Sequence, residues 1–132
     1  MKYLLDTNIC IYIIKKKPDK VLKRFSKFKP GDIAVSLITI AELNYGVAKS
    51  SKPNENTIAL QEFLQPLITL DFTNDDSLIY GRIRAELEAN GQMIGAMDLL
   101  IASIAISRSL TLVTNNEKEF SRIKNLKLEN WV

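Results

Sequence analysis

The 132-residue chain contains no histidine and a single cysteine, Cys10. Without an imidazole, a Ser-His-Asp triad, a Cys-His pair and the usual zinc sites are all excluded. One thiol allows no disulfide framework, which fits a reducing cytosol. Within the apolar run Ile9-Cys10-Ile11 it reads as a small core residue rather than a reactive nucleophile. Long hydrophobic runs are missing too. The apolar start, residues 1–12, is interrupted by Asp6, Thr7 and Asn8 and is followed by no small-residue cleavage site, so it is not a signal peptide. Nothing approaches membrane-spanning length, and a cytoplasmic protein with no membrane partner is expected. There is no repeat and no low-complexity segment.

Hydrophobic residues make up 46% and charged residues 25%, ordinary globular usage, so disorder and fibrous architectures are not indicated. A chain of this length suits one domain, residues 1–132, with a core of its own. Charge is unevenly spread. Residues 1–30 carry nine Lys or Arg against two acids, whereas residues 31–132 carry nine against thirteen. The basic excess lies in Lys15, Lys16, Lys17, Lys20, Lys23, Arg24, Lys27 and Lys29. Such a stripe suits phosphate backbones, with Lys16 and Lys20 as candidate RNA contacts; equally, it is what a solvated helix face looks like.

Short apolar runs predict strands at 2–5, 33–36, 66–70, 110–113 and 126–128, the last the weakest of the five. Helical spacing predicts helices from 7 or 8 to 15, from Pro18 onward until Pro30-Gly31, over 37–49, 57–64, from Thr73 to Asn90-Gly91, over 98–108 and over 116–120. The helix after the second strand should bury Leu37, Ile40, Ala41 and Val47. The one opened by the Thr73/Asp76 capping box should bury Leu78, Ile79, Ile83 and Leu87. Residues 50–56 read as a polar connection. Strands alternating with helices imply an α/β domain with a parallel sheet, and such sheets bind ligands at the carboxyl ends of their strands.

That rule gives meaning to four acids. Asp6 directly follows the first strand; it reads as a site carboxylate or as a helix cap, although Thr7 and Asn8 are also able to cap. Glu42 lies one turn into the helix after the second strand, where Thr39 three residues earlier also makes a capping box. Asp98 opens a helix that is otherwise apolar nearly all round, as a cap or as a ligand at its positive end, and Gly95 and Ala96 before it leave space for a substrate backbone. Glu119 follows the fourth strand through Thr114, Asn115 and Asn116; its capping spacing to Asn116, and Glu117 nearby, leave the fourth position open. Thr114 and Asn116, like Thr7 and Asn8, are candidates for holding bound water or phosphate.

Carboxylates gathered in this way repel unless a cation lies among them. Mg²⁺, with Mn²⁺ as a substitute, suits an oxygen-only donor set. A bound metal lowers the pKa of a water and neutralises charge on a phosphodiester, so metal-dependent phosphodiester hydrolysis is the expected reaction.

At Leu4-Leu5-Asp6-Thr7-Asn8, Ala41-Glu42-Leu43 with Tyr45-Gly46, Ile94 through Ala102, Thr111 through Phe120 and Leu128-Glu129-Asn130-Trp131, the sequence resembles the PIN-domain family, specifically VapC-type toxin ribonucleases of bacterial toxin–antitoxin pairs. The resemblance spans nearly the whole chain. It implies a three-layer α/β/α sandwich around a mostly parallel sheet of four or five strands. It also implies a metal-dependent endoribonuclease with Asp6, Glu42 and Asp98 as metal ligands and a further acid near the fourth strand. A homodimer, an RNA substrate such as transfer RNA, and a cognate antitoxin that blocks the pocket, often with a basic side chain, are implied as well. One departure is Asn116, where many PIN domains carry Asp; Glu119 is its natural substitute. The competing readings are a non-catalytic RNA- or protein-binding module and a metal-dependent phosphohydrolase or DNA nuclease.

Overall fold

A computed structural model describes all of residues 1–132. Five strands, β1 (Tyr3–Leu5), β2 (Ile33–Ser36), β3 (Ile68–Leu70), β4 (Thr111–Val113) and β5 (Lys127–Glu129), form one sheet in the order β3-β2-β1-β4-β5. Every pairing is parallel. The helices are α1 (Thr7–Lys15), α2 (Asp19–Ser26), α3 (Leu37–Ala48), α4 (Pro53–Leu64), α5 (Asn74–Ala89), α6 (Ala96–Ser107) and α7 (Glu117–Phe120). No helix is long and apolar enough to cross a membrane.

Strand side chains alternate between faces, and the central strand therefore feeds two cores. Leu4 joins Ala34 and Leu112 against α5, α6 and Phe120 on one face. Tyr3 and Leu5 join Val35 and Val113 against Ile9, Val21, Leu43, Leu60 and Trp131 on the other. Cys10 is fully buried in this second core, as its apolar neighbours suggest. The middle of α6, from Leu99 to Ala105, is buried apart from half-buried Leu100. Its one buried hydroxyl, Ser103, donates to the Leu99 carbonyl at 2.7 Å, so no polar group is left unsatisfied there.

The chain winds from β1 outward through β2 to β3, then returns to the other side of β1 with β4. The reversal opens a crevice between the carboxyl ends of β1 and β4, where a parallel sheet presents its site.

Several local expectations differ from the structure for tertiary reasons. Helix α3 exposes Leu37 and Ala41 and buries Thr39 and Leu43, with Ile40 and Val47 half-buried, because the partner for that face is α1 and α4 rather than the sheet alone. Leu78 of α5 is 66% exposed, while Ile83 and Leu87 meet α6. Pro53, read as part of a connection, instead starts α4 from the first helical position, where its missing N–H costs nothing. Pro18 precedes α2 as its cap, and Pro30–Asp32 forms a separate 3-10 turn before β2.

One buried ion pair ties α5 to the end of α6. Asp76, fully buried, accepts from Arg108 Nη1 at 3.0 and 3.1 Å and from the Thr73 N–H at 2.8 Å, closing the capping box read in the sequence. Burial pushes the Asp76 carboxyl upward, but the hydrogen bonds and the guanidinium outweigh it and hold the group below the ordinary carboxylate range. Its contribution to stability is therefore present above the unfolded-chain pKa and is lost as pH falls through the lower folded value. Arg108→Ala, which strands a buried carboxylate, is expected to cost about 2–4 kcal/mol at neutral pH. Urea unfolding followed by Trp131 fluorescence should show that loss shrinking in strong acid; a pH-independent difference would contradict the assignment.

Candidate active site

Asp6 is the first residue past β1, and its backbone N–H still belongs to the sheet, donating to the Val113 carbonyl at 2.9 Å. Its side chain is only 4% exposed. Oδ1 accepts from the Thr7 N–H and Oδ2 from the Thr114 hydroxyl, both at 2.7 Å. Asp6 thus caps α1 itself, the role that Thr7 or Asn8 was expected to share. The cap of α1 and the candidate site carboxylate are the same group. Thr114 is fully buried and its hydroxyl oxygen accepts from the Asn116 N–H at 3.0 Å, so the loop after β4 is latched to the end of β1. Asn115 Nδ2 donates to the Tyr12 hydroxyl at 2.9 Å, a second latch that no sequence motif announced.

Glu42 is freed from capping. Ser36 caps α3 by accepting from the Thr39 N–H at 3.1 Å, so the Thr39/Glu42 box does not form. Instead the Thr7 hydroxyl donates to Glu42 Oε1 at 2.6 Å. Thr39 Oγ1 lies 3.2 Å from the same Thr7 oxygen, and since one hydroxyl carries one proton, Thr39 supplies its own to complete the chain. This contact of Thr39 was hidden behind its apparent capping role. Asn8 is exposed on α1 and takes no hydrogen bond from the acids.

Asp98 sits at the third position of α6, which begins at Ala96 rather than at Asp98. The positive end of that buried helix faces it. A methyl added at Gly95 would lie 3.7 Å from Asp98 Oδ2, in ordinary contact, so this glycine sits directly beside the carboxylate. Glu119 is half-buried in α7 and accepts from Asn116 Nδ2 at 3.3 Å. Glu117 is exposed and accepts from Asn130 Nδ2 at 3.2 Å. Lys16 ends α1 in a left-handed conformation (φ 58°), and Lys20 lies on the first turn of α2; both are exposed.

Burial first, then the charges of Asp6, Glu42 and Glu119, push the Asp98 carboxyl up to about 6. Asp6 is raised by burial and, to a lesser degree, by Glu42, with the Thr114 and Thr7 hydrogen bonds opposing. The four acids therefore feel one another across the crevice. No three of them are grouped so as to enclose a cation by themselves. The donor chemistry nevertheless suits a hard, water-retaining divalent ion: Asp98 has no hydrogen-bond donor lowering its pKa, and every donor on offer is a carboxylate oxygen. A mainly apolar cavity of about 380 Å³ between α1, α3 and α4 borders the site, and only Glu42 of the four acids lines it.

Comparison with known proteins agrees with this architecture. The family model described as PIN domain matches residues 3–126. The chain is 52% identical over 132 residues to Ribonuclease VapC2 of Rickettsia felis, covering 99% of this chain and 98% of that protein. It is 41% identical over 131 residues to the tRNA(fMet)-specific endonuclease VapC of Shigella flexneri, covering 99% and 98%. Among solved structures, VapBC2 from Rickettsia felis bound to a promoter DNA fragment superposes with a TM-score of 0.92 at 49% identity, covering all of both chains. DNA-bound VapBC from Salmonella typhimurium gives 0.94 at 40% identity, covering 100% and 99%.

The electrostatic coupling is directly measurable. Glu42→Gln or Glu119→Gln should lower the Asp98 pKa from about 6, read by NMR titration of its carboxyl carbon in metal-free protein. Because the folded value lies above the unfolded one, Asp98 opposes folding once pH exceeds the unfolded pKa, fully so above the folded pKa. Asp98→Asn should accordingly stabilise metal-free protein at neutral pH by roughly 1–2 kcal/mol, allowing for solvent screening, with the gain vanishing below about pH 4. An ordinary Asp98 pKa would contradict the crowding.

Proposed function

Because this chain belongs to the PIN-domain family, whose model spans nearly all of it, we infer that it is a metal-dependent endoribonuclease, the toxin of a toxin–antitoxin pair, acting as one nuclease domain over residues 1–132. The observation that carries this reading is that carboxylates delivered by three other segments, Asp6, Glu42 and Glu119, add to the effect of burial at Asp98. Mg²⁺, or Mn²⁺ in its place, would supply neutralisation of the phosphodiester and a water of lowered pKa when bound.

The chain's own residues divide the remaining work. Asp6, Glu42 and Asp98 are the metal ligands in this reading, with Glu119 as the fourth catalytic acid. Glu119 is preferred to Glu117 because it alone of the two adds to the charge at Asp98. Thr114 and Thr7 fix the carboxylates: each donates a proton to one oxygen, leaving the remaining lone pairs directed at the crevice. Asn116 orients Glu119, and Asn8 stands exposed at the rim, where it reaches water or a phosphate oxygen. A cation bound beside Asp98 would favour its ionised form, since a positive charge opposes the upward push of burial and of its three acidic neighbours. Gly95 leaves the approach to Asp98 open for a nucleotide backbone.

Transfer RNA is the substrate class favoured by the relatives named as tRNA-specific endonucleases. A cognate antitoxin is the partner favoured by neighbours that crystallised as VapBC complexes. An acidic crevice of this kind accepts a basic side chain from such a partner as readily as it accepts a cation. A second copy of the chain would cover the exposed apolar side chains Leu37 and Leu78, consistent with a homodimer. A cytoplasmic location is the one this reading implies, because that is where the RNA substrate is found. Lys16 and Lys20 contribute affinity for the RNA backbone.

Asp6→Asn or Asp98→Asn is expected to reduce cleavage of a transfer RNA pool at least 10³-fold, with the fold retained by circular dichroism. Chelation with EDTA should do the same and Mg²⁺ or Mn²⁺ should restore activity. Thr114→Val, which leaves Asp6 in place without its latch, should cost about tenfold, the scale of one lost orienting hydrogen bond. Undiminished cleavage in the Asp variants or under chelation would reject the mechanism.

A further inference from the structure

Helix α2 and its C-cap residue carry Lys20, Lys23, Arg24 and Lys27 at spacings that place all four on one face, while Val21, Leu22 and Phe25 turn inward to the second core. All four cations are exposed. Like charges one turn apart destabilise a helix, and only Arg24 is compensated, by its ion pair with Glu129. Arg24 also lies over the rings of Phe28 and Trp131, each 5.9 Å from its guanidinium carbon. The three lysines are left without an acidic partner. These cations, with Asn130, Trp131 and Val132, line one open concavity of about 340 Å³ with no Asp or Glu side chain among its lining residues.

The concavity is joined to the acidic crevice through the edge of the sheet. Glu129 ends β5, and its carbonyl accepts from the Thr114 N–H at 3.0 Å, the same Thr114 whose hydroxyl holds Asp6. Asn130 lines the basic concavity and donates to Glu117 at the start of α7, the short helix that carries Glu119. Adjacent strands stand about 5 Å apart, so a nucleic-acid strand leaving the crevice over β4 and β5 meets α2 within a few nucleotides.

Resting on the ribonuclease reading above, we propose that the Lys20, Lys23 and Lys27 face of α2, closed by residues 130–132, is a second docking surface for the phosphate backbone of the RNA substrate, beyond the segment held in the acidic crevice. Arg24 acts there as a fixed strut: its Glu129 pair and the two rings hold the helix against β5 so that the three lysine ammonium groups project into the hollow. The surface reads charge and spacing rather than bases, because the only aromatic ring lining the hollow, that of Trp131, is packed against Tyr3 and Phe28 and is 4% exposed. It distinguishes a long, folded RNA from a short fragment.

Fluorescence anisotropy in EDTA measures RNA affinity without cleavage, so its outcome is separate from that of the ribonuclease reading. The triple variant Lys20→Gln, Lys23→Gln, Lys27→Gln should bind intact transfer RNA about tenfold more weakly than the parent, with the slope of log affinity against log salt reduced by about 2. A short oligonucleotide spanning only the cleaved segment should lose less than twofold, and the Lys→Arg triple variant should keep the parent affinity for transfer RNA. Unchanged affinity and salt slope on transfer RNA, or equal losses on long and short RNA, would overturn the proposal. So would a loss confined to antitoxin binding, which would assign the surface to a protein instead.

Discussion

At the carboxyl edge of this sheet burial, and then the like charges of Asp6, Glu42 and Glu119, push the Asp98 carboxyl up to about 6. A fold that assembles such a cluster must oppose the repulsion elsewhere. Three devices do so here. Two of the acids stand at the positive ends of substantial helices, Asp6 as the cap of α1 and Asp98 in the first turn of α6. Hydroxyl donors, Thr114 to Asp6 and Thr7 to Glu42, hold individual oxygens at 2.7 and 2.6 Å. The sheet is covered on both faces by separate cores, so the strand ends that carry the acids have little freedom to splay apart. Stability is given up at the site and recovered in the layers behind it, the usual balance of an acidic active centre.

Much of this was legible in the sequence because the alternation of short apolar runs with helical spacing has few solutions. The parallel sheet, its strand ends and the position of Asp6 follow from that pattern alone. The resemblance to PIN-domain proteins adds the grouping of Asp6, Glu42 and Asp98, and the family match agrees with the fold it implies. Glu42 was ambiguous because Thr39 has capping spacing; what resolves it is Ser36, a better-placed cap three residues earlier, whose role depends on where β2 stops. The choice between Glu119 and Glu117 was equally hidden. In the structure the two acids have different partners, Glu119 accepting from Asn116 and Glu117 from Asn130, and the second of these arrives from the far end of the chain.

The faces of α3 and α5 were misread in part, and for one reason. Apolar periodicity identifies a stripe but not its neighbours, and Leu37, Ala41 and Leu78 fall on the sides turned away from the sheet. Pro53 shows the converse: a residue that breaks a helix interior opens one from its first position. The charge asymmetry of the chain also gains meaning only in three dimensions. A basic stretch over residues 1–30 and an acidic remainder become a row of lysines beside a carboxylate crevice, joined across β4 and β5.

The central claim is that side-chain oxygens from these distant segments share one divalent ion. Paramagnetic broadening by Mn²⁺ in a two-dimensional NMR spectrum of the folded protein tests it most directly. Selective loss of the signals of Asp6, Glu42, Asp98 and Glu119 at substoichiometric Mn²⁺, reversed by excess Mg²⁺, is the expected result. Broadening scattered over the surface, or centred away from the carboxyl ends of β1 and β4, would contradict it.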